Sequence, residues 1–128
     1  MSKKIIATDK APKAVGPYSQ AVKVDTTVYI SGQIAINPAT GENVSGDFET
    51  EARQVLENLR AVAEAAGGSL ANVVRLTIYL TDVAHFQTMN ELMKRYISEP
   101  YPARSTIGVA QLPRGVRIEI DAILALDA

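Results

Sequence analysis

A chain of 128 residues, 47% apolar and 21% charged, suits one folded domain built around one core. Thirteen Lys and Arg against 14 Asp and Glu give a formal charge of −1, and aromatics make up only 5%, so the composition speaks against a nucleic-acid partner, which needs both phosphate neutralisation and stacking. With no Cys and a single His, disulfides, thiolate chemistry and a His/Cys metal site are excluded. The start, Met1 to Ala7, carries too short an apolar run for a secretory signal, and no window approaches the ~20 apolar residues of a membrane span, so a cytoplasmic, membrane-free protein is expected.

The first third reads as strands and turns. Val22-Lys23-Val24 and Val28-Tyr29-Ile30-Ser31 are β-prone runs, with Asp25-Thr26-Thr27 as a hairpin turn between them. Asn37-Pro38-Ala39-Thr40-Gly41 is a second turn. A helix starts near Asp47, a good N-cap. Phe48, Ala52, Val55, Leu56, Leu59, Val62, Ala63 and Ala66 form its apolar stripe, and Gly67-Gly68 ends it. Residues 73–80 then alternate: Val74, Leu76, Ile78 and Leu80 face one way, and Arg75, Thr77 and Tyr79 the other. A second helix starts at the cap Asp82, runs along a stripe of Phe86, Met89, Leu92, Met93, Tyr96 and Ile97, and stops before Pro100. Two strands follow, at about 104–111 and 116–126. Val116, Ile118, Ile120, Ala122, Leu124 and Leu126 share a face of the last one.

The order β-β-β-α-β-α-β-β predicts an α+β domain with both helices on one face of a single sheet. The other face is half apolar, with Val73, Tyr79, Ile107, Val109 and Ile123 on it or near it. Such a face implies a covering subunit, hence a homo-oligomer.

The residues able to do chemistry are few. His85 falls in the first turns of the second helix, where a solvated or capping role fits better than that of a base. There is no GxGxxG or GxxxxGK[ST] phosphate cradle, and no segment marks a cofactor. Arg104, in Pro102-Ala103-Arg104-Ser105-Thr106, opens an otherwise apolar strand. It either pairs with a structural carboxylate at a sheet edge or forks onto a substrate carboxylate, and periodicity alone favours the former. Glu119 stands between Ile118 and Ile120, opposite the core stripe, with Arg117 and Asp121 on its face. It reads as part of a charged ladder, or as a general acid/base with a pKa raised by partial burial. Tyr18 lies in the turn Gly16-Pro17-Tyr18-Ser19-Gln20, Ser31-Gly32-Gln33 suggests a β-bulge, and Asn90 reads as a solvent-facing helix residue.

Taken together these segments resemble the RidA, or YjgF-type, family of reactive-intermediate deaminases. The resemblance rests on Pro102-Ala103-Arg104-Ser105, the apolar and small-residue run to Leu112-Pro113, and the triplet Ile118-Glu119-Ile120. It extends through Ala11-Pro12, Gly16-Pro17-Tyr18, Ser31-Gly32-Gln33-Ile34, Asn37-Pro38 to Gly41-Glu42, and Asn58-Leu59. It implies a chorismate-mutase-like fold, a homotrimer with sites between subunits, and cofactor-free hydrolysis of 2-enamines and 2-imines from amino acids to 2-keto acids and ammonia. In that frame Arg104 binds the substrate carboxylate and Glu119 orients water. Tyr18, Ser31, Gly32, Asn90 and Thr106 line the pocket, and Thr106 stands where many members carry Cys.

Geometry adds a constraint. In a simple hairpin turning at Pro113-Arg114, Arg104 would face residue 123, about 13 Å along the strand from Glu119. Either these strands are not direct neighbours or the two residues meet from different chains, and the resemblance favours the second. Two rival functions stand beside the deaminase: a non-catalytic binder of small carboxylates such as 2-keto acids, and an RNA-cleaving protein.

Overall fold

The computed structural model describes residues 2–127. Its strands are β1 (Lys3–Ile6), β2 (Ala21–Val24), β3 (Thr27–Gln33), β4 (Val73–Leu80), β5 (Ala103–Gly108) and β6 (Ile118–Ala125), and its helices α1 (Phe48–Ala65) and α2 (Phe86–Tyr96). The strands form one mixed sheet in the order β1-β2-β3-β6-β4-β5. Only β4 and β5 run parallel, as a pair joined through a crossover helix must. Helix α1 packs on β3 and β6, α2 packs beside α1, and one apolar cluster fills the space between helices and sheet. The α+β prediction, with its element order, matches this architecture. No helix among the described residues is long and apolar enough to cross a membrane.

Local chemistry explains α1. The Asp47 side chain accepts from Thr50 Oγ1 at 2.7 Å and from Thr50 N at 2.9 Å, bonds that hold its carboxyl below the usual range, the second also satisfying an orphan donor of the first turn. At the other end Gly67, at φ +94°, lets Gly67 N reach Glu64 O and Gly68 N reach Ala63 O, both at 3.0 Å, closing the last turn as a Schellman motif. Every residue of the expected stripe is buried.

Four expectations need correction. Asp82 caps a short 3-10 turn, Val83–His85, and the α-helix proper begins at Phe86. His85 makes no side-chain cap; its ring stacks on Phe48, 4.0 Å away and within 3° of parallel, clasping the starts of the two helices. In β4 the pairing with β6 shifts between Val73 and Arg75, so Val73 enters the core at 7% exposure while Val74 stands 47% exposed. One irregular residue reverses the phase that alternation assigned to both. The strands expected at 104–111 and 116–126 shorten to Ala103–Gly108 and Ile118–Ala125, and no hairpin joins them, because β4 lies between them.

Candidate active site

Glu119 sits on β6 directly opposite Tyr79 of β4. Its neighbours Ile118 and Ile120 are fully buried on the helix-covered face, so Glu119 stands on the open face. Next to it β3 bulges as the sequence suggested: Ile30 pairs with Ala122 and Gln33 with Ile120, three steps against two. The bulge brings the Gly32 backbone under the carboxylate. A Cβ at position 32 would overlap Glu119 Oε2 and lie 2.8 Å from its Cδ. Only the absence of a Cβ lets the carboxylate sit this close to the strand.

The walls are tied by short hydrogen bonds. Ser31 Oγ donates to Ser19 O at 2.6 Å, and Ser31 N donates to Gln20 O at 3.0 Å, which fixes the turn that carries Tyr18. The buried Gln20 amide accepts from Thr8 N and donates to Pro12 O, each at 2.7 Å, holding the preceding segment against the sheet. The result is a cleft of about 790 Å³ lined by Tyr18, Ser31, Gly32, Gln33, Arg114 and Glu119, among others. Burial pushes the Glu119 carboxyl up from the usual 4.5, and the charge of Asp121 adds to the effect. None of the ion pairs among the described residues involves Glu119.

Arg104 lies elsewhere. It is level with Leu76 in the parallel β4–β5 pair, so it projects on the helix-covered face, at the sheet's edge, where it stays exposed. One of its terminal nitrogens donates to Asn90 Oδ1 at 2.7 Å, and the guanidinium sits 5.4 Å from the centre of the Phe86 ring. Asn90 therefore is not simply a solvent-facing residue. Phe86, one helical turn before it, leaves the expected core stripe and stands 37% exposed beneath the arginine. Thr106, level with the core residue Ile78, shares this face, and its Oγ1 is buried without a partner among the described residues. Nor does Arg104 have a carboxylate partner among the described residues.

The seven expected site residues thus fall into two groups: Tyr18, Ser31, Gly32 and Glu119 in the cleft, and Asn90, Arg104 and Thr106 at the β5 edge. Within one chain Arg104 and Glu119 are three residues apart along β4 and two strand spacings apart across it, roughly 14 Å, on opposite faces of the sheet. The two strands are indeed not neighbours, but within one chain this does not bring the two residues together.

Sequence reasoning missed three supports. Glu51, 5% exposed, accepts from Arg117 N and from Arg117 Nε, each at 2.7 Å, and so fixes the chain two residues before Glu119. These partners are 66 positions apart, and no local pattern links them. Asn58, 1% exposed, donates to Ile34 O and Ile36 O, each at 3.0 Å, holding the chain that follows the bulge. Its place between Val55 and Leu59 in the apolar stripe was a readable signal, since a polar residue there must find partners. Tyr79 donates through its hydroxyl to Asp121 at 3.0 Å. No group of three or more His, Cys, Asp or Glu among the described residues could hold a metal ion.

Comparison with known proteins follows this geometry. The family model described as Endoribonuclease L-PSP, which covers the YjgF/RidA proteins, matches residues 8–126. The chain belongs to this family. Among its Rid relatives, the human 2-iminobutanoate/2-iminopropanoate deaminase is 50% identical over 121 residues, 94% of this chain and 88% of the human one. The crystal structure of RidA from an Antarctic Psychrobacter is 53% identical, with a TM-score of 0.93, covering 96% of this chain and 99% of the other. E. coli TdcF with bound serine is 41% identical, with a TM-score of 0.91, over 97% of this chain and 99% of the other.

Proposed function

We propose that this Rid-family chain is a 2-iminobutanoate/2-iminopropanoate-type deaminase. It hydrolyses small 2-enamines and 2-imines derived from amino acids to 2-keto acids and ammonia. The observation that carries this reading is the pairing of two incomplete half-sites: a partly buried carboxylate without a cation at Glu119, and a positioned guanidinium without an anion at Arg104. A small imino acid supplies what each lacks, a carboxylate for Arg104 and an electrophilic carbon for water held by Glu119. Relatives about half identical to this chain that are named as such deaminases support the same reading.

In this chemistry the Arg104 fork fixes the substrate carboxylate by two charge-assisted hydrogen bonds. Glu119 takes a proton from water as its oxygen adds to C2 and returns it to nitrogen; the hydroxyl proton of the resulting carbinolamine then passes through the same carboxylate to nitrogen, and ammonia leaves as the C2–N bond breaks and the carbonyl forms. An imine conjugated to a carboxylate is electrophilic by itself, so the reaction asks for no cofactor. Positioned acid–base help of ~10²–10⁴-fold suffices for a substrate that already decays in water.

Since the half-sites lie on opposite sheet faces, the complete site joins Arg104, Asn90 and Thr106 of one subunit to Tyr18, Ser31, Gly32 and Glu119 of another. The assembly is the chorismate-mutase-like homotrimer that the resemblance implies. The exposed Tyr29 and Ile107 and the half-exposed Ile123 give the open face the apolar character that a subunit contact requires. Supplying the purified protein with imine from an amino-acid oxidase should accelerate imine decay and ammonia release, and sedimentation equilibrium should give three times the chain mass. No acceleration over buffer would sink the catalytic reading, and a monomer mass at micromolar concentration the shared site.

The bound serine of E. coli TdcF favours a second reading, a binder of small carboxylates. Glu119→Gln separates the two, since a binder keeps its ligand affinity and its function while a deaminase loses turnover.

A further inference from the structure

The open face around Glu119 holds a second carboxylate that the reaction above does not use. Asp121 follows Glu119 by two residues on β6, so both project on one face about 6.6 Å apart at their origins. Asp121 is not a free surface acid. Tyr79, whose backbone is level with Glu119, leans along the strand and donates its hydroxyl to Asp121 Oδ2 at 3.0 Å. That bond holds the carboxylate against Tyr79 and stops it from swinging into solvent. The phenol is pushed up by the same contact, which keeps it a donor.

The arginines nearby are committed elsewhere. Arg117, one residue before β6, reaches to the helix side instead, binding Glu51 of α1 and Gly46 O. Arg114, in the turn before β6, donates to Gly41 O, and Arg75 of β4 donates to Ser105. On β3 the residues beside Glu119 are Ser31, Gly32 and Gln33, all uncharged. Lys13 and Tyr18 also line the cleft, and Lys13 forms none of the ion pairs among the described residues. In the proposed assembly Arg104 of the neighbouring subunit also faces the site.

We propose that Asp121, locked by Tyr79, is a positioning residue that holds a carboxylate beside Glu119 and so helps Glu119 keep the proton it must hand to the leaving nitrogen. The reasoning is electrostatic. A carboxylate fixed on the same face, in a partly dry cleft and without an ion-paired cation on Glu119, disfavours the ionised form of Glu119. A carboxyl whose proton is held more tightly stays protonated in a larger share of molecules as pH rises, so more of them can donate to the leaving nitrogen. The inference rests on the deaminase reading for its purpose, but not for its test.

The test is Asp121→Asn. The substitution removes the charge at constant shape, and the introduced amide oxygen still accepts from Tyr79. The Glu119 carboxyl is followed by ¹³C NMR across a pH titration of the assembled protein. Its midpoint should fall in D121N, and fall less in Tyr79→Phe, where the charge stays but is released. The acidic limb of kcat/KM for imine hydrolysis should move to lower pH in the same order. A Glu119 midpoint unchanged or raised in D121N overturns the proposal. Absence of imine hydrolysis in the unmodified protein would instead overturn the function proposed above, while the NMR titration would still decide the coupling.

Discussion

Replacing Gly32 by alanine should disable the site while leaving the fold nearly untouched. The new Cβ would lie 2.8 Å from Glu119 Cδ and 3.1 Å from its Cγ, and would overlap Oε2. Carbon atoms in contact settle at about 3.5–4.0 Å, so the carboxylate must withdraw by about 1 Å. Gly32 is not in the left-handed region, so the backbone accepts alanine, and a flexible, half-buried glutamate can rotate outward. We expect stability to change by less than ~1 kcal/mol. Catalysis is less forgiving, because a 1 Å misplacement of a positioned group costs on the order of 10²-fold in rate. The assay is kcat/KM for imine hydrolysis of Gly32→Ala, Glu119→Gln and the double variant. If alanine acts by displacing the carboxylate, Glu119→Gln already removes what it would remove, and the double variant should be no slower than Glu119→Gln alone. Full activity in Gly32→Ala, or fully additive losses, would refute the claim that Glu119 works from its seat over Gly32.

Arg104→Ala and Glu119→Ala should each be nearly inactive. Refolded together at equal ratio, they should regain about a quarter of the activity, the share of interfaces joining two intact halves; no recovery while subunits demonstrably exchange would place the site within one chain. Glu119→Gln should raise the melting temperature at neutral pH and not near pH 4. A carboxyl pushed up on folding contributes stability below its unfolded value of 4.5, and that contribution is lost as pH rises through the folded value, so ionised Glu119 costs stability that glutamine spares. Asn58→Ala should destabilise the fold by about 2–3 kcal/mol in urea melts, since it strands the carbonyls of Ile34 and Ile36 in the core; a loss under 1 kcal/mol would mean that the site relaxes. Asp47→Ala should cost about 1 kcal/mol through the lost cap of α1.

Periodicity by itself determined the elements. The α1 stripe, its Asp47 start and its Gly67-Gly68 end are local, because capping and burial of one helix face depend on residues within a few turns. The bulge at Gly32, the open-face position of Glu119 and the family signature were legible for the same reason: each lies within a short run of sequence. Which strands pair is not local. The last two strands look like a hairpin in sequence, yet β5 must run parallel to β4 after the α2 crossover, while β6 enters between β3 and β4. That insertion keeps Arg104 and Glu119 two strand spacings apart, while the register that levels Arg104 with the core residue Leu76 and Glu119 with Tyr79 puts them on opposite faces. The phase of Val73 and Val74 turned on a one-residue slip against β6. The partners of Glu51, Asp121 and Arg104 lie 66, 42 and 14 positions away, where only the packed chain brings donor and acceptor together.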